Sequence, residues 1–224
     1  MSEGELPRFF AVPKGRHLRE TLGLCAGFLV FFYAFYGAAD ALTHLHSRRI
    51  PLALPGELSI PFVPAAAIVY VSMNGFMLLS PFVYRTAREL WPYVATLAAQ
   101  TVLASIVFVI LPVDLQFPQH EAPEGLVGAV FSYAEFANLR HNEFPSLHVT
   151  FALTTALVLG RRAASLWGRG LLLLWAAAIA ASTVLIHTHY IADVVGGVAL
   201  ALAGAFGLYP RLAARADLGE GSAV

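Results

Sequence analysis

The apolar positions of this chain fall in long uninterrupted blocks. Stretches free of Asp, Glu, Lys and Arg cover 21–39, 58–84, 90–113, 144–160, 170–192 and 194–210. A helix needs about 20 mostly apolar residues to cross the hydrocarbon of a bilayer, so the blocks predict six transmembrane helices with approximate spans 21–41, 59–82, 92–112, 145–160, 170–187 and 190–209. Only Asp193 separates the last two blocks, which together exceed one span and predict a tight turn near His187–Tyr190. The polar segment Asp114–Glu143 lies between the third and fourth spans. Within it, Gly125–Leu139 predicts a short amphipathic helix lying on the membrane, with Leu126, Val127, Val130, Phe131 and Ala134 as its apolar side. No linker or internal repeat divides the chain, which reads as a segment 1–20, one membrane domain 21–210 and a tail 211–224. Pro7, Arg8 and Pro13 interrupt the first apolar run, so residues 1–20 are expected to stay attached rather than leave as a signal peptide.

Composition supports the membrane reading. Hydrophobic residues make up 58% and charged residues 12% of the 224, and the mean hydropathy is +0.69. Soluble domains carry about 25% charged residues, so this chain lacks the charge for an all-water surface. The 14 Lys and Arg balance the 14 Asp and Glu, and no nucleic-acid partner is expected without a basic excess. A single cysteine, Cys25, excludes a disulfide framework and a cysteine-rich metal site. With the N-terminus in the cytoplasm, Arg8, Lys14, Arg16, Arg19, Arg85, Arg88, Arg161, Arg162, Arg169, Arg211 and Arg215 flank the spans inside, against Arg48, Arg49 and Arg140 outside. That bias places both termini in the cytoplasm. Seven histidines, His44, His46, His120, His141, His148, His187 and His189, then face outward and only His17 faces inward. The expectation is an all-α integral membrane protein with its chemistry at the outer interface.

Two constellations carry that chemistry. Glu143-Phe144-Pro145-Ser146-Leu147-His148 opens the fourth span. Proline suits the first position of a helix, and the unpaired N–H groups of a first turn attract an anion, so a phosphate could sit there with the Ser146 hydroxyl and His148 close by. The second is Ser182-Thr183, then His189-Tyr190-Ile191-Ala192-Asp193. His189 and Asp193 are spaced i,i+4, which lets the carboxylate hold one imidazole tautomer and stabilise its cation. Either set could be a plain helix start or cap, but an ionisable residue at membrane depth is costly and suggests function.

Together these elements resemble the type 2 phosphatidic acid phosphatase superfamily, over roughly residues 90–210. That family has six spans, a Pro-Ser-Gly-His element opening the fourth, and Ser-Arg, five residues, His, three residues, Asp across the fifth and sixth. Leu147 here stands for the glycine and Thr183 for the arginine. By the resemblance, His189 attacks phosphorus, Asp193 orients it, and His148 protonates the leaving alkoxide. Ser146, Leu147, Ser182 and Thr183 would hold the phosphoryl oxygens. No metal and no cofactor is implied. The substrate is expected to be a lipid phosphate or phospholipid, and the location a bacterial inner membrane or its equivalent, with the site facing outward.

The departures shape the expectation. The family's first motif, a lysine followed after six residues by Arg-Pro, has no counterpart in Leu111–Gln119. Arg140 is the candidate replacement cation, with Arg48, Arg49, His141 and His187 nearby in sequence or topology. Phe-Pro-Ser-Leu-His with His-Tyr, two residues, Asp-Val is closer to the branch of inositol phosphorylceramide and sphingomyelin synthases, in which the phosphohistidine passes to an alcohol. Hydrolysis and headgroup transfer both stay open. Two other classes of function have some support in the sequence. His44/His46 and His187/His189 could ligate a metal or haem, although neither pair has helical i,i+4 spacing. A channel or transporter lacks mid-span charge, and Gly196, Gly197 and Gly204 read as helix-packing positions.

Overall fold

Proline and capping residues cut the apolar blocks into helices. The structure, a computed structural model, describes residues 10, 13–139, 141–163 and 165–218. Its helices are α1 (Gly15–His44), α2 (Ala66–Leu79), α3 (Ala87–Ile110), α4 (Gly125–Ala137), α5 (Leu147–Gly160), α6 (Leu166–Leu185), α7 (Ile191–Leu202) and α8 (Tyr209–Leu218). A π-helical stretch, Ala203–Leu208, joins α7 to α8 in one rod. A two-residue parallel ladder pairs β1 (Ile50–Pro51) with β2 (Val113–Asp114). Thr86 caps α3 by accepting the Glu89 N–H at 3.2 Å, and Ser165 caps α6 by accepting the Gly168 N–H at 3.0 Å.

The protein is a helical integral membrane protein. Four helices are long and apolar enough to cross a bilayer: α1, α3, α6 and the rod Ile191–Ala216. The second and fourth expected spans are 14-residue helices, α2 and α5, about 21 Å long at 1.5 Å per residue. The expected start of the second span at 59 is corrected to Ala66, because Pro61 and Pro64 disfavour helix at and before themselves. Length matters less for α5, whose sides are enclosed by α2, α3, α6 and α7, so it has no lipid thickness to match. Polar ties hold it: the Gln100 amide donates to Thr154 Oγ1 at 2.8 Å and to the Leu200 carbonyl at 3.1 Å, and Tyr93 Oη lies 2.7 Å from Thr155 Oγ1.

Chain direction brings the end of α1, the end of α6 and the starts of α5 and α7 to one end of the bundle. At the other end Arg162 pairs with Glu89 at 2.9 Å and Arg161 donates to the Ala205 carbonyl. The helix α4 forms as expected but lies against α2, with Phe131 and Ala134 buried on Ala66, Ala67, Tyr70 and Ile186. Leu126, on the apolar side expected to face the membrane, is 76% exposed.

Candidate active site

The site begins where α5 starts. Ser146 is the N-cap, its hydroxyl accepting the Val149 N–H at 3.5 Å. Pro145 therefore precedes the cap and is not the first helical residue. The Ser146 N–H donates to the Asp193 carbonyl at 3.0 Å, and Thr150 Oγ1 donates to the Ser146 carbonyl at 2.8 Å and the Gly197 carbonyl at 3.1 Å. These bonds clamp the start of α5 onto α7. The clamp needs glycine: a Cβ on Gly197 would stand 2.6 Å from the Ser146 carbonyl oxygen, and one on Gly196 would stand 2.6 Å from the Phe144 ring. Gly197→Ala is expected to cost about 1–3 kcal/mol and to part His148 from His189. Thermal unfolding and turnover in detergent check this, with Gly170→Ala, at an exposed position with open space around it, expected to leave both unchanged.

The turn from α6 to α7 carries His189. His187 takes a left-handed φ of 61°, a conformation rare outside glycine. The Thr183 carbonyl accepts the N–H groups of Thr188 (3.0 Å) and His189 (3.2 Å) and the Thr188 hydroxyl (2.9 Å). The hydroxyls of Ser182 and Thr183 donate back to Ile179 and Ala180 in their own helix. These are the hydroxyls expected to hold phosphoryl oxygens, and here both face their own helix; the Thr183 carbonyl shapes the turn. At the start of α7, Asp193 Oδ2 accepts the Tyr190 N–H at 2.7 Å, and the buried Glu57 accepts the Ile191 N–H.

Three buried groups meet here. His189 Nδ1 lies 3.3 Å from Glu143 Oε2 and 3.5 Å from Asp193 Oδ2, and the three side chains are 2%, 1% and 0% exposed. His189 sits in the turn, outside the helices. Burial by itself would lower its pKa, but the Asp193 and Glu143 carboxylates outweigh burial and raise it. Glu143, in the loop before α5, is raised by burial, against the pull of the His189 ring. The ligand atoms of these three residues lie within 4.8 Å of one another, close enough to hold a small cation. Across from them stands His148, its ring centroid 6.4 Å from that of His189. Tyr70 stacks on His148 at 4.0 Å, with its hydroxyl 3.2 Å from Nδ1, so Nε2 is the nitrogen left for a substrate.

The structure thus brings His148, His189, Asp193, Ser146 and Leu147 to the facing starts of α5 and α7. The first-turn N–H groups of Leu147 and His148 have no partner within the helix. Arg140 lies outside the described residues. A cavity of about 270 Å³ abuts Glu143 and Thr188, and its wall includes Arg49, His120, His141 and His187. His187 is a poor substitute cation, contrary to the expectation, because burial lowers its pKa and its Nδ1 faces His120 Nε2 at 2.8 Å. The histidines that could have formed metal-binding pairs have other neighbours. His44 Nδ1 faces His141 Nε2 at 3.3 Å, and His187 and His189 have separate partners. Glu143 and Tyr70 received no role from the sequence. Glu143 did carry a signal, a carboxylate directly ahead of Phe-Pro-Ser-Leu-His; Tyr70 carried none, being one tyrosine in an apolar block.

A family model for the PAP2 superfamily matches residues 65–216, from the start of α2 into α8. No curated protein and no solved structure matches the chain.

Proposed function

Because the chain belongs to the PAP2 superfamily, whose chemistry is hydrolysis or transfer of phosphate esters, we propose that it cleaves a lipid phosphate ester through a phosphohistidine at His189, at the extracytoplasmic face of the membrane. The observation that carries this reading is one imidazole with its Nδ1 flanked by buried carboxylates, opposite a second imidazole at 6.4 Å between ring centroids. The carboxylates keep the proton on Nδ1, which leaves the Nε2 lone pair for attack.

In the first step a bond forms between His189 Nε2 and phosphorus while the bond from phosphorus to the ester oxygen breaks. His148 Nε2 gives its proton to the departing alkoxide. As the acid, His148 is an imidazolium whose Nδ1–H donates to the Tyr70 hydroxyl; giving up the Nε2 proton leaves a neutral ring with its proton on Nδ1 and its Nε2 lone pair free for the second step. In the second step His148 removes a proton from water or an alcohol, the new oxygen bonds to phosphorus, and His189 leaves. The Ser146 hydroxyl and the first-turn N–H groups of α5 would hold the phosphoryl oxygens. A site at membrane level admits headgroups from the side, in keeping with six spans and both termini in the cytoplasm. The location proposed is the bacterial inner membrane or its equivalent.

One observation favours a second reading, a headgroup transferase of the inositol phosphorylceramide or sphingomyelin synthase type. The cavity beside Glu143 is lined largely by polar groups and is large enough for a small hydroxylated acceptor. To separate the two, purified protein with EDTA is incubated with phosphatidate, a polyprenyl pyrophosphate, and phosphatidylinositol plus ceramide. Released phosphate means hydrolysis, a new phospholipid without phosphate means transfer, and neither product across the panel rejects the reading. His148→Ala should slow a lipid phosphate about 10²–10⁴-fold and an activated aryl phosphate far less, because a good leaving group departs without a proton. Equal losses on both substrates would remove His148 from the acid role.

A further inference from the structure

Asp193 alone would complete a conventional acid–histidine pair, yet the chain buries a second carboxylate against the same nitrogen. Glu143 is 1% exposed and has its Oε2 3.3 Å from His189 Nδ1, nearer than Asp193 Oδ2 at 3.5 Å. Asp193 Oδ2 is partly committed, since it also accepts the Tyr190 N–H. Neither Glu143 oxygen has a hydrogen-bond partner among the described residues, and the His189 ring stands beside Oε2 at ion-pair distance. A buried carboxylate without partners is expensive to keep, and the arrangement is a poor choice for stability alone.

We propose that Glu143 is a second positioning carboxylate for His189, sharing the Nδ1–H with Asp193 so that the cationic ring formed on phosphorylation is held by two negative charges. The proposal rests on His189 being the nucleophile. Attack by the neutral ring through Nε2 leaves a phosphoimidazolium, a positive charge created in a site almost closed to water. There each nearby carboxylate counts for more than it would in solvent. Keeping Nδ1 protonated also keeps the intermediate reactive, since the ring then departs as neutral imidazole.

The arrangement has a cost that makes it measurable. Two carboxylates beside Nδ1 favour the imidazolium form of the ring, which has no Nε2 lone pair, so the ring must be without its Nε2 proton at the moment of attack. Removing one negative charge makes that proton leave more readily and moves the acidic limb of the kcat/KM profile to lower pH. The same removal weakens the cationic intermediate and lowers the plateau. Other groups face this pair. Tyr190 and Asp193 stand at the start of α7, and His148 on α5 lies across the site with Tyr70 on α2 behind it. Tyr36 and Asp40 on α1 act on Glu143. All are retained in the variant, so the difference isolates Glu143.

The test uses the full chain in detergent, with histidine ¹⁵N-labelled and the His189 signal assigned by its absence in His189→Gln. In Glu143→Gln the His189 midpoint should fall by about one pH unit or more, the shift expected from removing one charge within 4–6 Å. The acidic limb of kcat/KM should move down with it, and the plateau kcat should drop about tenfold or more. An unchanged midpoint, or a rate lost equally at every pH, overturns the proposal. If Glu143→Gln does not fold, ¹³C-carboxyl-labelled glutamate in the wild-type protein decides: a Glu143 signal titrating together with His189 supports the pairing, and one that titrates independently of it overturns it. A midpoint that moves in a protein without turnover on any lipid phosphate would reject the enzymatic reading while leaving the pairing of Glu143 with His189 standing.

Discussion

His189→Ala is expected to abolish turnover, by at least about 10³-fold, the scale on which removal of a catalytic nucleophile acts. The reason lies in the site's geometry. Nδ1 faces Glu143 and Asp193, leaving Nε2 as its reactive atom, while His148 is engaged at Nδ1 by Tyr70 and, among the described residues, is hydrogen-bonded to no carboxylate. The alanine variant also leaves two buried carboxylates facing each other without a cation, so some stability is lost with activity. His189→Gln separates the two effects, because its amide still donates to the carboxylates but cannot form a phosphoryl intermediate that turns over. The same acid-labile, base-stable phosphoprotein that accumulates on the wild type with a radiolabelled substrate should be missing in both variants. Turnover retained in either one would end the phosphohistidine mechanism.

Asp193→Asn is expected to lower kcat about 10²–10⁴-fold with little change in KM, on the scale of losing the orienting acid of a nucleophile–histidine pair. The structure gives Asp193 two tasks: it accepts the Tyr190 N–H, helping to close the start of α7, and it faces His189 Nδ1. Asparagine can keep the first task through its side-chain oxygen and loses the charge needed for the second. Asp193→Ala removes both and should cost about 1 kcal/mol more in thermal stability. If asparagine supports full activity, Asp193 is a cap and nothing else.

The pattern of the chain was enough for much of the fold. Charge-free blocks marked the long helices α1, α3 and α6, because no other structure satisfies the backbone of an apolar run at membrane depth. The break at Asp193 marked the turn between α6 and α7. Spacing was enough for the pairing of His189 with Asp193, since i,i+4 is a local property of one helix and its cap, and two short motifs were enough to indicate the superfamily.

Contacts between segments far apart in sequence were decided only in three dimensions. Nothing local distinguishes Tyr70 from any other aromatic residue in an apolar block; its place against His148 depends on how α2 packs on α5. Glu143 read as a polar residue ahead of a helix until the closeness of Gly196 and Gly197 to the Phe144–Ser146 segment brought that segment onto α7. The same packing explains the short α5, whose length answers to its neighbours and not to the bilayer, and the hydroxyls of Ser182 and Thr183, which turn back onto their own helix. A sequence determines which groups a chain can bring to a site and what each costs to bury. Which ones share a single imidazole nitrogen was decided by the crossing of α5 and α7, because a charge acts over a few ångströms and only the packed structure sets distances on that scale.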